Sequence, residues 1–374
     1  MATTELSTFF RKNLLQWHHT ENKRQLPWKQ EKDVYRIWLS EIILQQTRAG
    51  QGLKYYERFI QTYPTIQSLA NAPIEEVYKL WEGLGYYNRC RNLYATAQKI
   101  VTELNGKFPD TYDTILELKG IGPYTAAAIS SFGFGLPYAV VDGNVFRVLS
   151  RVFGIETATD STVGKKQFQE LAQQCLDIND PAAYNQAIMD FGATICKPDV
   201  PECKSCVMKK KCVAFQTERV SELPVKEKQT KIRSRWFRFY ILEKDGLFAV
   251  QKRTGKDVWS NLYEFPNTEF ASEKEWKKIT AGTTQAWLTE NKIKQKALLV
   301  STTKPVKQQL SHQTIYATAV LLQLKGKPVG KTEWEWKSAK QMQQLPFPKL
   351  LNDFLKAGVL ELFGLINGTV KQKT

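Results

Sequence analysis

Four of the six cysteines of this chain lie close together, at Cys196, Cys203, Cys206 and Cys212, with six, two and five residues between them. Four thiolates in one compact loop can hold a 4Fe–4S cube or a tetrahedral zinc ion. The spacing does not distinguish the two metals. The alternative is a set of unrelated buried thiols, which seldom cluster in this way. The stretch therefore predicts a metal-binding loop, but it does not indicate whether the loop holds an iron–sulfur cluster or zinc.

Glu41 is a candidate acid, because it lies in the middle of a predicted helix with Ile37 and Leu44 on the same face. Burial in such a half-apolar setting raises the pKa of a carboxyl group and can keep a proton available near neutral pH. The alternative is an ordinary surface glutamate, which is the commoner case. Asp142 follows an apolar run and precedes a helix, so the sequence alone favours a helix cap there.

The segment Leu118–Ala126 opens a helix that is rich in small residues. Gly120 and Gly122 allow the backbone to approach a partner closely, and Pro123 suits the first helical turn. The exposed N–H groups of such a helix start can bind an anion, for example a DNA phosphate. An ordinary glycine-rich turn between two helices is an equally good interpretation.

A helical pattern from Leu6 to about Phe191 would position these residues. Val34–Thr47 is predicted to be one helix, and its apolar face consists of Tyr35, Trp38, Leu39, Ile42 and Ile43. The stretch Val213–Ser234 is charged and poor in apolar residues, which is typical of a linker.

Beyond this stretch the pattern becomes that of strands. Trp236–Leu242 and Leu247–Gln251 flank Lys244-Asp245-Gly246, which predicts a hairpin. Gln313–Leu324 is a further β-branched run, and Leu350–Phe363 is predicted to be a closing helix. The C-terminal part is therefore expected to be a separate α+β domain.

Composition narrows the classes of function. Lys and Arg number 53 against 37 Asp and Glu, so the net charge is +16, which favours nucleic acid over other partners. No apolar run approaches the roughly 18 residues that cross a bilayer, and the N-terminus lacks the apolar core of a secretory signal. We expect a cytoplasmic protein that is a monomer and has no membrane partner.

Several motifs occur together in one order along the chain: Leu26–Trp28, Trp38–Thr47, Trp81–Tyr87, the Gly120 hairpin, Val141–Asn144 and the four-cysteine loop. Together they resemble the MutY family, the adenine DNA glycosylases of the helix-hairpin-helix superfamily. The resemblance implies a mainly α, helix-hairpin-helix catalytic domain whose cysteine loop carries a 4Fe–4S cluster rather than zinc. It also implies that the substrate is duplex DNA with adenine opposite 8-oxoguanine or guanine.

The resemblance also implies roles for individual residues. Glu41 would donate a proton to the departing adenine, and Asp142 would stabilise the cationic sugar. Tyr124 and Asn144 would orient the sugar, Asp142 and the incoming water. The related endonuclease III branch has a lysine at the position of Tyr124, which forms a Schiff base. The tyrosine therefore predicts a glycosylase with weak or absent lyase activity.

Further residues are assigned to DNA by the same resemblance. The flipped adenine would be surrounded by Arg24, Trp28, Leu44 and Asp190. The gap in the duplex would be filled by Gln46 and Tyr86. Other predicted contacts are Thr47, Leu84, Gly120 and Gly122. Without the resemblance, core packing would be preferred for Trp28, Leu44 and Tyr86, and a surface charge for Arg24.

The C-terminal domain resembles the MutT (Nudix) fold, since Trp259–Pro266 matches its characteristic strand and bend. The acidic, metal-binding Nudix helix has no counterpart downstream, so this domain is expected to bind and not to hydrolyse. Leu310-Ser311-His312 matches the family's Phe-Ser-His loop, which reads 8-oxoguanine. Leu310 departs from the aromatic residue of that loop, and the departure weakens the expected stacking against the lesion.

These patterns divide the chain into a catalytic domain at 1–215, a linker at 216–234, a Nudix-like domain at 235–366 and a basic tail at 367–374. Two other functions stay open at this stage. One is a non-catalytic iron–sulfur protein that binds lesions in DNA. The other is a Nudix hydrolase with a DNA-binding appendage.

Overall fold

The computed structural model describes residues 2–227, 232–278, 281–325 and 334–355. The predicted basic tail at 367–374 and the final part of the predicted closing helix lie outside these residues. The chain divides into two compact units. The N-terminal unit comprises Met1–Asn71 and Arg91–Gln229, and the C-terminal unit comprises Ala72–Cys90 and Thr230–Thr374.

The first part of the chain is helical, as the sequence predicts. Its helices are α1 Ala2–Thr20, α2 Val34–Leu44, α3 Ala49–Thr62, α4 Ile66–Ala70, α5 Ile74–Trp81, α6 Tyr87–Glu103, α7 Tyr112–Leu116, α8 Pro123–Phe134, α9 Gly143–Phe153, α10 Thr162–Cys175, α11 Pro181–Thr194 and α12 Val213–Gln216. A 3-10 turn covers Pro27–Gln30. Helix α5 belongs to the C-terminal unit.

Four helices of the N-terminal unit position the candidate site. Helix α2 packs against α8, while α11 packs against α9, α8 and α1. Helix α8 can approach its neighbours closely because its buried residues from Thr125 to Ser131 are small, apart from Ile129. The core behind α9 and α11 is apolar and includes Phe10, Trp17, Val148, Phe168 and Phe191.

One helix boundary predicted from the sequence is wrong, and the predicted linker has a packed segment. Helix α2 ends at Leu44, not Thr47, because Gln46 has a left-handed backbone with φ of 55°. Part of the predicted linker packs on the N-terminal unit, since Leu223 is buried and its carbonyl accepts Arg151 Nε at 2.9 Å. The few apolar residues of this charged stretch are therefore enough to fix it on an existing core.

The C-terminal unit is built on a mixed sheet. Its strands are β1 Arg233–Lys244, β2 Leu247–Lys252, β3 Tyr263–Glu264, β4 Asn267–Phe270, β5 Lys296–Thr302, β6 Val306–Gln309, β7 Gln313–Lys325 and β8 Glu335–Ser338. The sheet order is β3-β2-β1-β7-β5, with β1 and β7 parallel. Strand β4 pairs with β1, β6 with β7 and β8 with β2. The helices are α13 Glu273–Lys277, α14 Ala281–Glu290, α15 Ala339–Gln344 and α16 Lys349–Phe354.

The predicted hairpin is confirmed as the antiparallel pair β1 and β2. Its turn residues Asp245 and Gly246 have φ of 51° and 77°, which is the geometry of the tight turns that suit twisted strands. Aromatic residues cover one face of the sheet, where the rings of Tyr240 and Trp287 stack at 3.6 Å. Within the described ranges, no helix has the length and apolar character needed to cross a membrane.

Candidate active site

Glu41 is buried in the middle of α2, and the hydroxyl of Tyr124 donates to its Oε2 at 2.9 Å. Tyr124 comes from the first turn of α8, where Gly122 and Pro123 start the helix. Burial raises the pKa of Glu41, the hydrogen bond from Tyr124 lowers it, and the charge of Asp142 raises it. The net result of the three effects is a pKa of about 7. The carboxyl can therefore hold a proton and release it near neutral pH.

Asp142 caps α9. Its Oδ1 accepts the backbone N–H groups of Asn144 and Val145, each at 2.8 Å, and its Oδ2 accepts the Asn144 side-chain amide at 2.8 Å. Burial raises the pKa of Asp142, while these hydrogen bonds and Arg147 lower it. The capping role expected from the sequence is thus present, and its donors favour the ionised form of this carboxyl group.

Arg147 connects this cap to the cysteine loop. Its Nη2 donates to Asn144 Oδ1 at 2.8 Å and to the Gly192 carbonyl at 2.7 Å, and its Nε donates to the Cys196 carbonyl at 2.8 Å. The side chain is almost fully buried. The sequence does not indicate this role, because an arginine on an amphipathic helix is typical of a solvent-exposed face. The three-residue spacing from Asn144 was the one local signal of a contact.

A cavity of about 720 Å³ opens beside Glu41. Two predicted base contacts, Arg24 and Trp28, line it, and so do Lys29 and Gln186, which the sequence analysis did not single out. Its polar lining provides hydrogen-bond donors and acceptors next to a protonatable carboxyl. The structure therefore brings Glu41, Arg24 and Trp28 together around one space.

Asp190 and Leu44 do not line this cavity among the described residues. Asp190 is completely buried behind it and accepts Arg24 Nη1 at 2.7 Å and Lys29 Nζ at 2.5 Å. It therefore holds two residues of the lining in place. Leu44 lies at the end of α2 against Gly52, where a Cβ would come within 2.8 Å of the leucine side chain.

The glycine-rich hairpin between α7 and α8 contains one position that only glycine can occupy. Gly120 has φ of 81°, and a Cβ there would lie 2.6 Å from Asn92, so only glycine fits. A Cβ on Gly122 would meet nothing within 4 Å. The space next to Gly122, at the start of α8, is therefore open. An anion that binds the first N–H groups of a helix needs such an open space.

The predicted gap-filling residues are exposed. Gln46 of the N-terminal unit is exposed in its left-handed turn, and the adjacent Thr47 N–H donates to the Leu44 carbonyl at 3.0 Å. In the C-terminal unit Tyr86 is 39% exposed and also left-handed, with φ of 49°. A tyrosine rarely adopts this conformation, so its surroundings must hold it there.

The C-terminal unit contains a second cavity, of about 320 Å³. Leu84, Tyr86, Ser311 and His312 all line it, together with Leu310. The hydroxyl of Tyr86 donates to Ser311 Oγ. The structure thus groups these residues from two distant parts of the sequence.

All six cysteines are free thiols. Among the described residues, no group of three or more His, Cys, Asp or Glu side chains is arranged to hold a metal ion. Cys196, Cys203, Cys206 and Cys212 nevertheless interact electrostatically. Burial raises the pKa of Cys203 and of Cys206, and the charges of other thiolates in this loop raise both pKa values further. The Met208 N–H donates to Cys206 Sγ at 3.4 Å. Thiols with backbone donors fit an iron–sulfur cluster, whose sulfurs receive such bonds.

Glu264 lies within the stretch that resembles a Nudix strand. It is buried and accepts Arg253 Nη1 at 2.6 Å and Gln251 Nε2 at 3.1 Å. Its charge is therefore balanced by a neighbouring arginine.

Comparisons with known proteins match both parts of the chain. The family model of the HhH-GPD superfamily of base excision DNA repair proteins matches residues 39–174, and that of the NUDIX domain matches residues 238–357. A solved structure of a thermostable thymine-DNA glycosylase is similar with a TM-score of 0.54 and 31% identity, over 58% of this chain and 100% of that one. A non-covalent endonuclease III–DNA complex shares the fold. Its TM-score is 0.51 at 20% identity, over 58% of this chain and 99% of that one.

Two curated relatives are adenine DNA glycosylases. That of Buchnera aphidicola subsp. Schizaphis graminum is 32% identical over 354 residues, which cover 93% of this chain and 98% of the relative. That of Homo sapiens is 44% identical over 225 residues, which cover 58% of this chain and 41% of the relative. The predicted fold, a helical HhH-GPD part followed by a Nudix-like part, is therefore confirmed, and the chain belongs to the adenine DNA glycosylase family.

Proposed function

We propose that this chain is a base-excision repair enzyme that hydrolyses the N-glycosidic bond of adenine paired with 8-oxoguanine or guanine in duplex DNA. The observation that carries the proposal is a protonatable Glu41 beside a cavity, in electrostatic contact with Asp142. Family membership supports the same reaction. A pair of carboxyl groups suits a reaction that passes through a cationic sugar.

In this mechanism Glu41 protonates N7 of the adenine as the base departs. A pKa of about 7 means that the acid form is populated at neutral pH and that the proton can still be transferred. The hydroxyl of Tyr124 holds Oε2, which leaves Oε1 to face the base. Tyr124 is not an amine, so the sugar forms no Schiff base at this position and strand cleavage is weak or absent.

Asp142 stabilises the cationic sugar by its negative charge. Three hydrogen bonds from the start of α9 fix its two oxygens, so the carboxylate does not have to reorganise as charge develops. Asn144 orients Asp142 and the water that attacks the sugar. A retaining course, with a transient bond from Asp142 to the sugar, is the family's pattern.

The adenine reaches these groups by leaving the duplex stack. Arg24 and Trp28 contact the flipped base in the cavity, and Asp190 supports Arg24 from behind. Leu44, the last residue of α2, lies next to the flipped base. Gln46 and Tyr86 occupy the gap, and Thr47, Leu84, Gly120 and Gly122 contact the DNA near it. The open first turn of α8 and the net charge of +16 support the contacts with phosphate.

The loop of Cys196, Cys203, Cys206 and Cys212 is proposed to hold a 4Fe–4S cluster. The cluster would supply rigidity to a stretch with little regular structure. Arg147 and Arg151 bind the loop's backbone carbonyls, and Arg151 Nη1 lies 3.6 Å from Cys196 Sγ. These cations suit four thiolates and a metal cluster better than four neutral thiols.

The Nudix-like part is proposed to read 8-oxoguanine through Ser311 and His312 without hydrolysing nucleotides. The proposed organisation is a catalytic domain at 1–215, a linker at 216–234 and a lesion-reading domain at 235–366. The packing of Leu223 supports moving the catalytic boundary to about residue 227. The expected setting is the nucleoid in a bacterial cytoplasm.

The test is release of free adenine under single-turnover conditions from duplexes that pair adenine with 8-oxoguanine, guanine or thymine. The proposal predicts fast release opposite 8-oxoguanine, slower release opposite guanine and little opposite thymine. Tight binding without any adenine release would instead identify a non-catalytic lesion-binding protein. Turnover of nucleoside triphosphates that Glu264→Gln abolishes would identify a Nudix hydrolase.

A further inference from the structure

The segment between α1 and the Pro27–Gln30 turn contains an asparagine that the proposed function does not use. Asn22 is half-buried and lines the cavity beside Glu41, together with Arg24 and Lys29. Its side-chain amide makes three hydrogen bonds within the N-terminal unit. The side chain of a loop asparagine usually bonds to water or to a nearby backbone group, so an amide that is fully engaged on a cavity wall calls for an explanation.

The partners of Asn22 fix the direction in which its amide faces. Asn22 Nδ2 donates to Asp190 Oδ2 at 2.8 Å, and Asn22 Oδ1 accepts the backbone N–H of Arg24 at 3.1 Å. A reversed amide would set two acceptors against each other at Asp190 and two donors at Arg24. Nδ2 also donates to His18 Nδ1 at 2.9 Å. Burial lowers the pKa of His18, which favours the neutral imidazole that can accept this bond.

Through these bonds Asn22 holds Arg24 at two points. It binds the Arg24 backbone directly. It is linked to the guanidinium through Asp190, because the other oxygen of this carboxylate, Oδ1, accepts Arg24 Nη1 at 2.7 Å. Asp190 is completely buried, so its charge depends on donors from the protein. Without the amide of Asn22, the carboxylate would lose one of these donors and the Arg24 backbone would lose its anchor.

We propose that Asn22 is a positioning residue for base recognition, which sets the side chain of Arg24 where the flipped purine binds. This inference rests on the proposed function, because it takes the cavity as the place of the flipped base. A long arginine side chain loses conformational freedom when it binds a ligand, and ordering it beforehand lowers that cost. Asn22 therefore acts through Arg24 and does not itself contact the reacting atoms.

The first test is single-turnover release of adenine opposite 8-oxoguanine by Asn22→Ala and Asn22→Asp in the full chain. Alanine removes all three bonds, so release should slow about tenfold. Aspartate has the same shape but sets a second carboxylate against Asp190, so it should slow release at least as much. A side chain that only filled space would tolerate this isosteric change. The affinity for the duplex depends mainly on phosphate contacts and should stay within about twofold of the parent in both variants.

Asn13→Ala is the matched control. The side chain of Asn13 donates to the Phe9 carbonyl at 2.8 Å on the same helix, α1, and lies outside the described lining of the cavity. The substitution removes the same chemical group from the same part of the chain. It should therefore keep the parental rate of release.

A double-mutant cycle distinguishes action through Arg24 from a general loosening of the fold. If Asn22 works through Arg24, Asn22→Ala should slow release about tenfold in the parent and less than about twofold in an Arg24→Met background. A merely structural role would slow release by the same factor in both backgrounds.

A parental rate in Asn22→Ala or in Asn22→Asp, or an equal factor in the two backgrounds, would overturn the inference and leave the proposed function standing. Failure of the parent to release adenine from any duplex would overturn the proposed function and the inference with it.

Discussion

The hydroxyl of Tyr124 donates to Glu41 Oε2 over 2.9 Å, from the first turn of α8 to the middle of α2. This bond opposes the effect of burial, which raises the pKa of Glu41. The two effects together place the pKa at about 7, where a carboxyl group can act as a general acid. The identity of the residue at position 124 therefore bears on two proposed properties, the lack of a Schiff base at this position and the protonation of Glu41.

The first prediction concerns pH. Because the acid form of Glu41 is required, the single-turnover rate should decrease as the pH rises through about 7. Tyr124→Phe removes the bond that lowers this pKa, so the midpoint should move to higher pH. Tyr138→Phe is the control, because Tyr138 stacks on Tyr112 instead. A Tyr124→Phe midpoint equal to that of the parent would show that the hydrogen bond does not tune the acid.

The second prediction concerns stability. Burial raises the pKa of Glu41 from 4.5 to about 7, so the folded protein binds a proton that the unfolded chain releases between these values. The free energy of unfolding therefore decreases as the pH rises from about 4.5 to 7 and stays lower above this range. Glu41→Gln should add up to roughly 3 kcal/mol at pH 8 and clearly less at pH 5, as measured by urea unfolding. Glu57→Gln, at an exposed position of α3, is the control and should leave the free energy of unfolding unchanged at both pH values. If Glu41→Gln stabilised the protein equally at pH 5 and pH 8, the raised pKa of Glu41 would be contradicted.

The third prediction concerns Asp142. Asparagine is also a good N-cap, so Asp142→Asn should keep the start of α9 and the affinity for DNA while it removes the charge. Turnover should decrease by about 10²-fold or more, as is typical when charge stabilisation of a transition state is lost. Single-turnover rates and binding titrations are the measurements. Turnover close to that of the parent would exclude electrostatic stabilisation by this residue.

The fourth prediction concerns Arg147, whose guanidinium joins Asn144 to the carbonyls of Gly192 and Cys196. Arg147→Met leaves one buried and two part-buried acceptors without this donor, so excision should slow and the Tm should decrease. Arg147→Lys should restore part of the excision rate and part of the Tm, since lysine keeps one cationic donor. The half-buried Arg219, which pairs with Glu156 and Glu222 instead, provides a control substitution. If Arg147→Met lowered the Tm but left the excision rate intact, the residue would be structural only.

The fifth prediction concerns lesion reading. Replacement of Ser311 and His312 by alanine should reduce the preference for 8-oxoguanine over guanine opposite the adenine. Both side chains are exposed, so the stability of the C-terminal unit should change little. Competition between the two duplexes in one reaction measures the preference. An unchanged preference would mean that the lesion is read elsewhere.

The sequence predicts the elements and the main chemical groups of this protein well, for local reasons. The apolar stripe of α2, the Asp245-Gly246 turn and the Asp142 cap depend on residues close in the chain. Periodicity and turn chemistry therefore suffice to predict them. The end of α2 was placed too late because nothing in the sequence marks the left-handed conformation of Gln46.

The missing parts of the site depend on distant contacts. Lys29 and Gln186 enter the catalytic cavity only because α11 packs near the Pro27–Gln30 turn, and Arg147 is buried because the cysteine loop covers it. Asp190 is predicted to lie around the flipped base, and its ion pairs with Arg24 and Lys29 are a feature that the sequence does not indicate. Such roles follow from tertiary packing, which a single sequence does not display.

The most direct test of the central claim is the single-turnover release of adenine opposite 8-oxoguanine by Glu41→Gln, compared with the parent at pH 7. Glutamine has nearly the same shape but cannot transfer a proton to N7. The account predicts that the variant binds the duplex as tightly as the parent and releases adenine at a small fraction of its rate. Release at the parental rate would contradict the assignment of Glu41 as the acid.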